Sequence, residues 1–200
     1  MQPVLPEHKY HHFGPYLAEM PVDPTYCAKL LKLGKNLKKS HRSNLAGQIH
    51  HEYIYPIETE PWIFNEFQIY INTWIEGWKQ FSNRSAFNPK YQLTQMWINR
   101  MKAKEYNPVH VHTNCALSFV LWLEVPQQIL KEAKKNETNA ANPGDTCFLY
   151  GEDKGNVISE KRFVPKVNTL VMFPGDLRHH VMHFNSKVTR TSVAGNIKFI

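Results

Sequence analysis

The chain has 200 residues, of which 42% are hydrophobic and 20% are charged, and it carries a formal net charge of +7. This composition is typical of a globular protein, and the length suits one domain, residues 1–200, with a sizeable core. The longest apolar stretch, residues 116–125, is interrupted by Ser118 and Glu124. It is far too short to span a membrane, so we expect no membrane association.

The cysteines point to a reducing compartment. Cys27, Cys115 and Cys147 are odd in number, widely spaced and outside any C-x-x-C pattern. The first residues also lack the basic start and the apolar core of a secretory signal. Both observations predict free thiols in a cytoplasmic protein.

Two helices are predicted in the first part of the chain. After an irregular segment, residues 1–22, Asp23 is a good helix cap, Pro24 suits the first helical position and Gly34 ends the helix. A longer helix is predicted to begin near Pro61. Its apolar face is formed by residues that recur mostly at steps of three and four, namely Trp62, Phe64, Phe67, Ile71, Trp74, Ile75, Trp78 and Phe81.

The pattern changes after about residue 90. Short segments rich in β-branched and aromatic residues follow one another: LTQMWINRMKA, ALSFVLWLEV, TCFLYG, NTLVMFPG, HHVMHF and TRTSVAGNIKFI. They predict an antiparallel sandwich or jelly roll over residues 91–200, with residues 1–90 as a helical buttress on one face. The polar stretch 127–146 is predicted to be a surface loop or a short helix followed by a loop.

Three histidines are candidate metal ligands. His110 and His112 stand one residue apart, so on a strand both side chains face the same side and can bind one ion. His179 follows the tight turn FPGD, which in an antiparallel barrel returns the chain across the same cavity. Three ligands on one side of a metal leave its other positions open, as an oxygen-activating iron requires.

An arginine follows the third histidine. Arg190 lies eleven residues beyond His179, which is enough chain for a turn and a return strand, and Ser192 shares its face. A guanidinium beside a hydroxyl suits a carboxylate. The order H-x-H, H and R-x-S therefore predicts a metal site followed by an anion anchor.

These residues resemble the iron(II)- and 2-oxoglutarate-dependent oxygenases common in marine phage and bacteria. The resemblance covers residues 96–126 and 168–199, and more weakly the stretch HRSNLAGQIHHEY. The matching positions are Trp97, Asn99, His110, His112, Leu117, Ser118, Phe173, Pro174, Leu177, His179 and Arg190. The resemblance implies a mainly β protein with N-terminal helices and a double-stranded β-helix core of the jelly-roll or cupin type.

The resemblance also implies an activity. With iron(II) and dioxygen, 2-oxoglutarate is decarboxylated to succinate while an unactivated C–H bond of a protein side chain or a small molecule is hydroxylated. Arg190 and Ser192 would bind the far carboxylate of 2-oxoglutarate, and Asn99 would hydrogen-bond it from a neighbouring strand. The implied iron ligands are His110, His112 and His179.

The second ligand position departs from the wider superfamily, which has a carboxylate where this chain has His112. A 2-oxoglutarate dianion can balance the charge of iron(II) held by three histidines, and a water can instead complete a two-histidine site. Both arrangements stay open at this point. His183 is a reserve ligand, His180 points away from His179, and Asp176 is interpreted as a turn residue.

Other functions compete with this interpretation. Three imidazoles and a water suit zinc hydrolysis, although an arginine anchor would then lack a purpose. A three-histidine cupin acting without 2-oxoglutarate is a second alternative. A third is a non-enzymatic, virion-associated jelly-roll module with a degenerate site.

The sequence says less about binding partners and substrate than about the metal site. The basic stretch from Lys29 to Arg42 could meet an acidic partner, but no nucleic-acid-binding motif accompanies it, and we interpret it as a solvated helix face with its exit loop. The expected substrate is a protein or an anionic small molecule, and a homodimer is an open expectation. If a phage encodes the chain, the host cytoplasm is its compartment.

Overall fold

The computed structural model describes residues 14–152 and 154–200. The helices are α1 (Pro24–Gly34), α2 (Trp62–Ser82) and α3 (Gln127–Ala133), with a 3-10 turn at Arg42–Asn44. The strands are β1 (Ala18–Pro21), β2 (Glu52–Ile54), β3 (Tyr91–Met101), β4 (Asn107–His110), β5 (Leu117–Glu124), β6 (Thr146–Leu149), β7 (Glu160–Phe163), β8 (Thr169–Pro174), β9 (Arg178–Val181) and β10 (Arg190–Phe199).

Both predicted N-terminal helices are confirmed. The side chain of Asp23 accepts a hydrogen bond from the backbone N–H of Thr25 at 2.7 Å, which caps α1 at the residue that the sequence indicated. Helix α2 ends at Ser82 and is followed by Asn83, whose φ of 55° places it in the left-handed conformation common after a helix. Helix α3 confirms the prediction of a short helix within residues 127–146.

The strands form two antiparallel sheets. The large sheet has the order β1-β8-β5-β10-β3-β2, and the small sheet has the order β4-β9-β6-β7. Trp122 of the large sheet and Phe148 of the small sheet belong to one buried cluster, so the sheets pack face to face at one end. This arrangement confirms the predicted double-stranded β-helix core.

Two strands of the large sheet come from a region where the sequence predicted none. Strand β1 pairs with β8, and β2 pairs with β3, with Glu52 opposite Asn99. The prediction of an irregular segment over residues 1–22 is therefore wrong for Ala18–Pro21, although Ala18 and Met20 alternate with exposed residues as a strand requires. The sequence does not show strict apolar and polar alternation here, because the exposed Pro21 is not a polar residue and a proline weakens a strand prediction. Residues 1–13 of that segment lie outside the described residues.

The large sheet has two chemically different faces. Its outer face packs against the helices, and the rings of Phe67 in α2 and Phe119 in β5 lie 4.4 Å apart between centroids. Its inner face turns towards the small sheet. Because side chains alternate along each strand, the residues next to Val193 on β10, Ser192 and Ala194, point inward to a cavity.

The predicted basic stretch lies partly on the surface. Lys29 and Lys32 of the basic stretch are exposed, and Lys29 pairs with Glu66 at 2.7 Å on the neighbouring helix. Among the helices in the described ranges, none combines the length and the apolar content that a bilayer crossing requires.

Candidate metal centre

The three predicted ligands meet at one end of the cavity between the sheets. His110 at the end of β4 lies directly opposite His179 of β9 in the antiparallel register. Each of His110, His112 and His179 offers one ring nitrogen, and these nitrogens lie within 4.8 Å of one another. The turn between β8 and β9 is closed by a hydrogen bond from Leu177 N–H to the Pro174 carbonyl at 3.0 Å, and it delivers His179 as predicted.

His112 reaches the cluster by a different route from the one predicted. Strand β4 ends at His110, so strand alternation does not place His112. Its backbone N–H donates to the carbonyl of Gly175 at 2.8 Å, which ties the segment after β4 to the β8–β9 turn. The result is the same convergence: the Nε2 atoms of His112 and His179 are 3.3 Å apart.

Each imidazole is oriented by an oxygen acceptor on its Nδ1 side. His110 Nδ1 is 2.8 Å from the carbonyl of Pro108, and His179 Nδ1 is 2.8 Å from the carbonyl of Leu177. His112 Nδ1 is 2.8 Å from Oδ1 of Asn196. Because these oxygens only accept, each Nδ1 carries the hydrogen and each Nε2 keeps its lone pair for a metal.

The electrostatics of the cluster favour neutral imidazoles. Burial lowers the pKa of His179 to about 3 and that of His112 to about 4, and the neighbouring imidazoles add to the effect. Burial likewise lowers the pKa of His110. All three rings are therefore neutral at neutral pH, with one ring nitrogen free of hydrogen, and this is the form that ligates a cation.

The predicted anion anchor lies in the same cavity. Arg190 is fully buried on β10; its Nη1 donates to the carbonyl of Gly144 at 2.6 Å, and its Nε has no partner among the described residues. Burial lowers the pKa of Arg190 to about 10, against the opposing effect of Asp145, so the guanidinium is still charged at neutral pH. A buried cation with unused donors suits a carboxylate.

Three buried polar residues form a row across β10, β3 and β2. Ser192 lies opposite Asn99, and Asn99 lies opposite Glu52, so all three side chains share the inner face. Asn99 Oδ1 and Glu52 Oε2 are buried without a hydrogen-bond partner in the described part of the chain. The predicted residues Asn99 and Ser192 are thus brought beside Arg190 in a cavity of about 530 Å³.

This donor set fits iron(II) and 2-oxoglutarate. The neutral imidazoles supply lone pairs, and they leave the remaining metal positions to other ligands. The guanidinium of Arg190 supplies the charge that a distal carboxylate needs. The unpartnered atoms of Asn99 and Arg190 are groups that a polar molecule in the cavity would pair.

The competing histidines and the aspartate lie elsewhere. His183 is exposed beyond the end of β9, and Asp176 is exposed in the turn. His180 belongs to another group of potential ligands, with Cys147 and Glu160.

Two cavity residues were missed by the sequence analysis. Asn196 follows Arg190 by six residues, so the same alternation that selected Ser192 could have found it. Glu52 had no such signal, because only the pairing of β2 with β3 brings it to the cavity.

The sequence matches one family model. The family is described as "Putative 2OG-Fe(II) oxygenase", where 2OG is 2-oxoglutarate, and the match covers residues 95–196. All six candidate site residues fall within the matched range. No protein of curated function matched the chain.

Solved structures share the fold over nearly the whole chain. An oxidoreductase of the 2OG-Fe(II) oxygenase family from Burkholderia pseudomallei aligns with a TM-score of 0.60 and 14% identity, covering 91% of this chain and 85% of that one. The viral collagen prolyl hydroxylase of Paramecium Bursaria Chlorella virus-1, in its 2OG complex, has a TM-score of 0.56 and 15% identity, with 92% and 96% covered. HygX from Streptomyces hygroscopicus, with nickel and 2-oxoglutarate bound, has a TM-score of 0.58 and 8% identity, with 91% and 82% covered.

Proposed function

By the match over residues 95–196 the chain belongs to the 2OG-Fe(II) oxygenase family, whose cofactors are iron(II) and 2-oxoglutarate, and on this premise we propose that it hydroxylates an unactivated C–H bond. When bound, iron(II), 2-oxoglutarate and dioxygen supply the oxidising chemistry, in which 2-oxoglutarate is converted to succinate and carbon dioxide. The protein itself supplies binding, orientation and the exclusion of water.

One observation carries the proposal. Each of three imidazoles with a hydrogen-bonded Nδ1 atom offers a ring nitrogen within 4.8 Å of the others, and a buried guanidinium lies in the same cavity. A metal site alone would fit zinc hydrolysis equally well. The buried guanidinium of Arg190 keeps an unpartnered Nε, which suits an anionic partner, and 2-oxoglutarate brings one.

The proposed tasks divide between two groups of residues. His110, His112 and His179 hold iron(II). Arg190 pairs with the distal carboxylate of 2-oxoglutarate, and Ser192 and Asn99 hydrogen-bond the co-substrate from the same face of the large sheet. Because the three residues lie on paired antiparallel strands, these contacts would orient the co-substrate relative to the metal.

The substrate is proposed by class. The name of the viral neighbour, a collagen prolyl hydroxylase, describes hydroxylation of a protein side chain on this fold. We therefore put a protein side chain first and an anionic small molecule second, since the net charge of +7 favours anionic partners. The cysteines in the described residues form no disulfide, in keeping with a cytoplasmic site of action, and a homodimer stays a prediction.

The test is an anaerobic titration of metal-free protein with iron(II) and then with 2-oxoglutarate. We expect a visible metal-to-ligand charge-transfer band that requires both additions and is lost in His179→Ala. His183→Ala is the matched control, because it removes an exposed imidazole from the same region and should keep the band. If iron(II) binds and no band forms, the chelate is absent, and the proposal fails in favour of a metal site that works without 2-oxoglutarate, either the three-histidine cupin or the zinc alternative. If iron(II) does not bind at all, the structural-module alternative is favoured.

A further inference from the structure

A second group of ligand-type side chains lies on the small sheet. Cys147 on β6 is directly opposite His180 on β9, and Glu160 lies on β7, the other neighbour of β6. Each of the three residues offers one ligand atom, and these atoms lie within 4.8 Å of one another. A thiol, an imidazole and a carboxylate are thus brought together by three adjacent strands.

This group is separate from the histidine cluster in the cavity. Successive side chains on a strand point to opposite faces of its sheet, so His179 faces the cavity and His180 faces away from it. On β6 the same alternation turns Thr146 to the cavity and Cys147 to the outer face. The second group therefore occupies the outer face of the small sheet, behind the strand that carries a proposed iron ligand.

Glu160 is held in an orientation that suits a ligand. Its Oε2 accepts hydrogen bonds from Nε of Arg162 at 2.8 Å and from Nη2 at 2.6 Å. Arg162 is fixed in turn, because its Nη1 donates to the carbonyl of Asn139 at 2.9 Å. Arg162 thereby holds one carboxylate oxygen, and the other lies on the side of His180, as in metal sites whose ligands are oriented by outer hydrogen bonds. The bond to Arg162 lowers the pKa of Glu160, and the thiol of Cys147 adds to the effect.

The spacing of His180 and Glu160 suits an ion better than direct contact. Glu160 Oε1 lies 3.9 Å from Nε2 of His180, which is too long for a hydrogen bond. A tetrahedral zinc ion places its ligand atoms roughly 3.3–3.7 Å apart, so shifts of about 1 Å would bring the three atoms to it. Solvent can reach the group, because the side chains of His180 and Glu160 are 19% and 26% exposed while Cys147 is buried.

We propose that Cys147, His180 and Glu160 bind a divalent cation of the zinc class, with solvent in the fourth position. Sulfur, nitrogen and oxygen ligands together suit zinc, and the thiolate and the carboxylate balance its two charges. Binding breaks the Sγ–H bond of Cys147, releases the proton to solvent and forms a sulfur–metal bond. An ion here links β6, β7 and β9 and supports the strand that carries His179.

The test uses cobalt(II) as a spectroscopic substitute for zinc in the anaerobic full-length protein. We expect a near-ultraviolet thiolate-to-cobalt charge-transfer band that zinc removes by competition. The band should be lost in Cys147→Ser and should persist in Cys27→Ser and Cys115→Ser. It should also persist in His179→Ala, because the cavity cluster has no thiol, so failure of the proposed oxygenase site would leave this result unchanged.

Two milder variants keep the test valid if Cys147→Ser does not fold. His180→Ala and Glu160→Gln change partly exposed side chains, and each should weaken cobalt binding at least about tenfold. His183→Ala and Glu58→Gln are the exposed controls and should change nothing. The absence of a thiolate band in the wild type, a band that survives in Cys147→Ser, or unchanged affinity in both milder variants would each overturn the proposal.

Discussion

His112 and His179 face each other through their Nε2 atoms at 3.3 Å, with ring planes only 11° from parallel. Each ring already donates from Nδ1, His112 to Asn196 and His179 to the Leu177 carbonyl. Neither Nε2 then has a hydrogen to share, so two lone pairs face each other. A cation that both atoms ligate turns this repulsive contact into an attractive one.

The first prediction concerns His112, for which the sequence left two arrangements open. If all three histidines bind iron(II), His112→Ala should lower iron(II) affinity at least about tenfold. A residue that touches the metal contributes no less than the outer contacts that orient it, whose loss costs roughly 10–100-fold. Anaerobic calorimetry with iron(II) measures this. Unchanged affinity, with His183→Ala as the exposed control, would show instead a two-histidine site completed by water.

The second prediction concerns Asn196 as a positioning residue. Its Oδ1 fixes the tautomer and the orientation of His112, so Asn196→Ala should lower iron(II) affinity roughly 10–100-fold. Asn196→Asp keeps an acceptor at this position and should restore most of the affinity. Lys198→Ala, on the same strand but exposed, is the control. A loss in Asn196→Ala that Asn196→Asp does not rescue would indicate general damage to β10.

The third prediction separates co-substrate binding from metal binding. Arg190→Met keeps much of the buried volume and removes the charge, so 2-oxoglutarate affinity should fall at least about 30-fold, the factor that corresponds to about 2 kcal/mol. Iron(II) affinity should stay nearly unchanged, whereas His179→Ala should lose both. Arg100→Met is the matched control, because Arg100 lies on the opposite face of the large sheet and bonds to Gly34. Equal losses of iron(II) and 2-oxoglutarate in Arg190→Met would show that the roles are wrongly assigned.

The parts of the fold that the sequence predicted depend on local signals. The cap at Asp23 and the aromatic spacing of α2 can be recognised from residues close together in the chain. Arg190 and Ser192 share a face as predicted, because both lie on one regular strand, β10. His112 was placed on a strand that in fact ends at His110. The contact that positions it, with Gly175, joins residues far apart in the chain, and no local pattern reports such a contact.

The parts that the sequence missed depend on long-range pairing. Strands β1 and β2 are four and three residues long, and each is recognisable only by its partner in the large sheet. Glu52 reaches the cavity through the pairing of β2 with β3. In the sequence it is a single glutamate between a histidine and a tyrosine, and this pattern does not predict burial. Buried carboxylates are rare enough that composition argues against them.

The fourth prediction concerns the cost of that buried carboxyl. Burial raises the pKa of Glu52 to about 8 from its ordinary value of 4.5, with Glu105 adding to the rise and Arg42 opposing it. In the unfolded chain the group ionises near its ordinary value, so the folded state holds one proton more between these two values. The stability of the wild type should therefore be full below the lower value and fall as the pH rises through the higher one.

Glu52→Gln removes this titration while keeping the shape of the side chain. In chemical denaturation of the metal-free protein, its free energy of unfolding relative to wild type should rise by on the order of a few kcal/mol between about pH 5 and about pH 9. Groups other than Glu52 titrate in both proteins and cancel in the difference. Glu58→Gln, an exposed carboxyl, should show no such rise. A pH-independent difference for Glu52→Gln would mean that the carboxyl ionises in the folded state near its ordinary value, which would contradict the prediction.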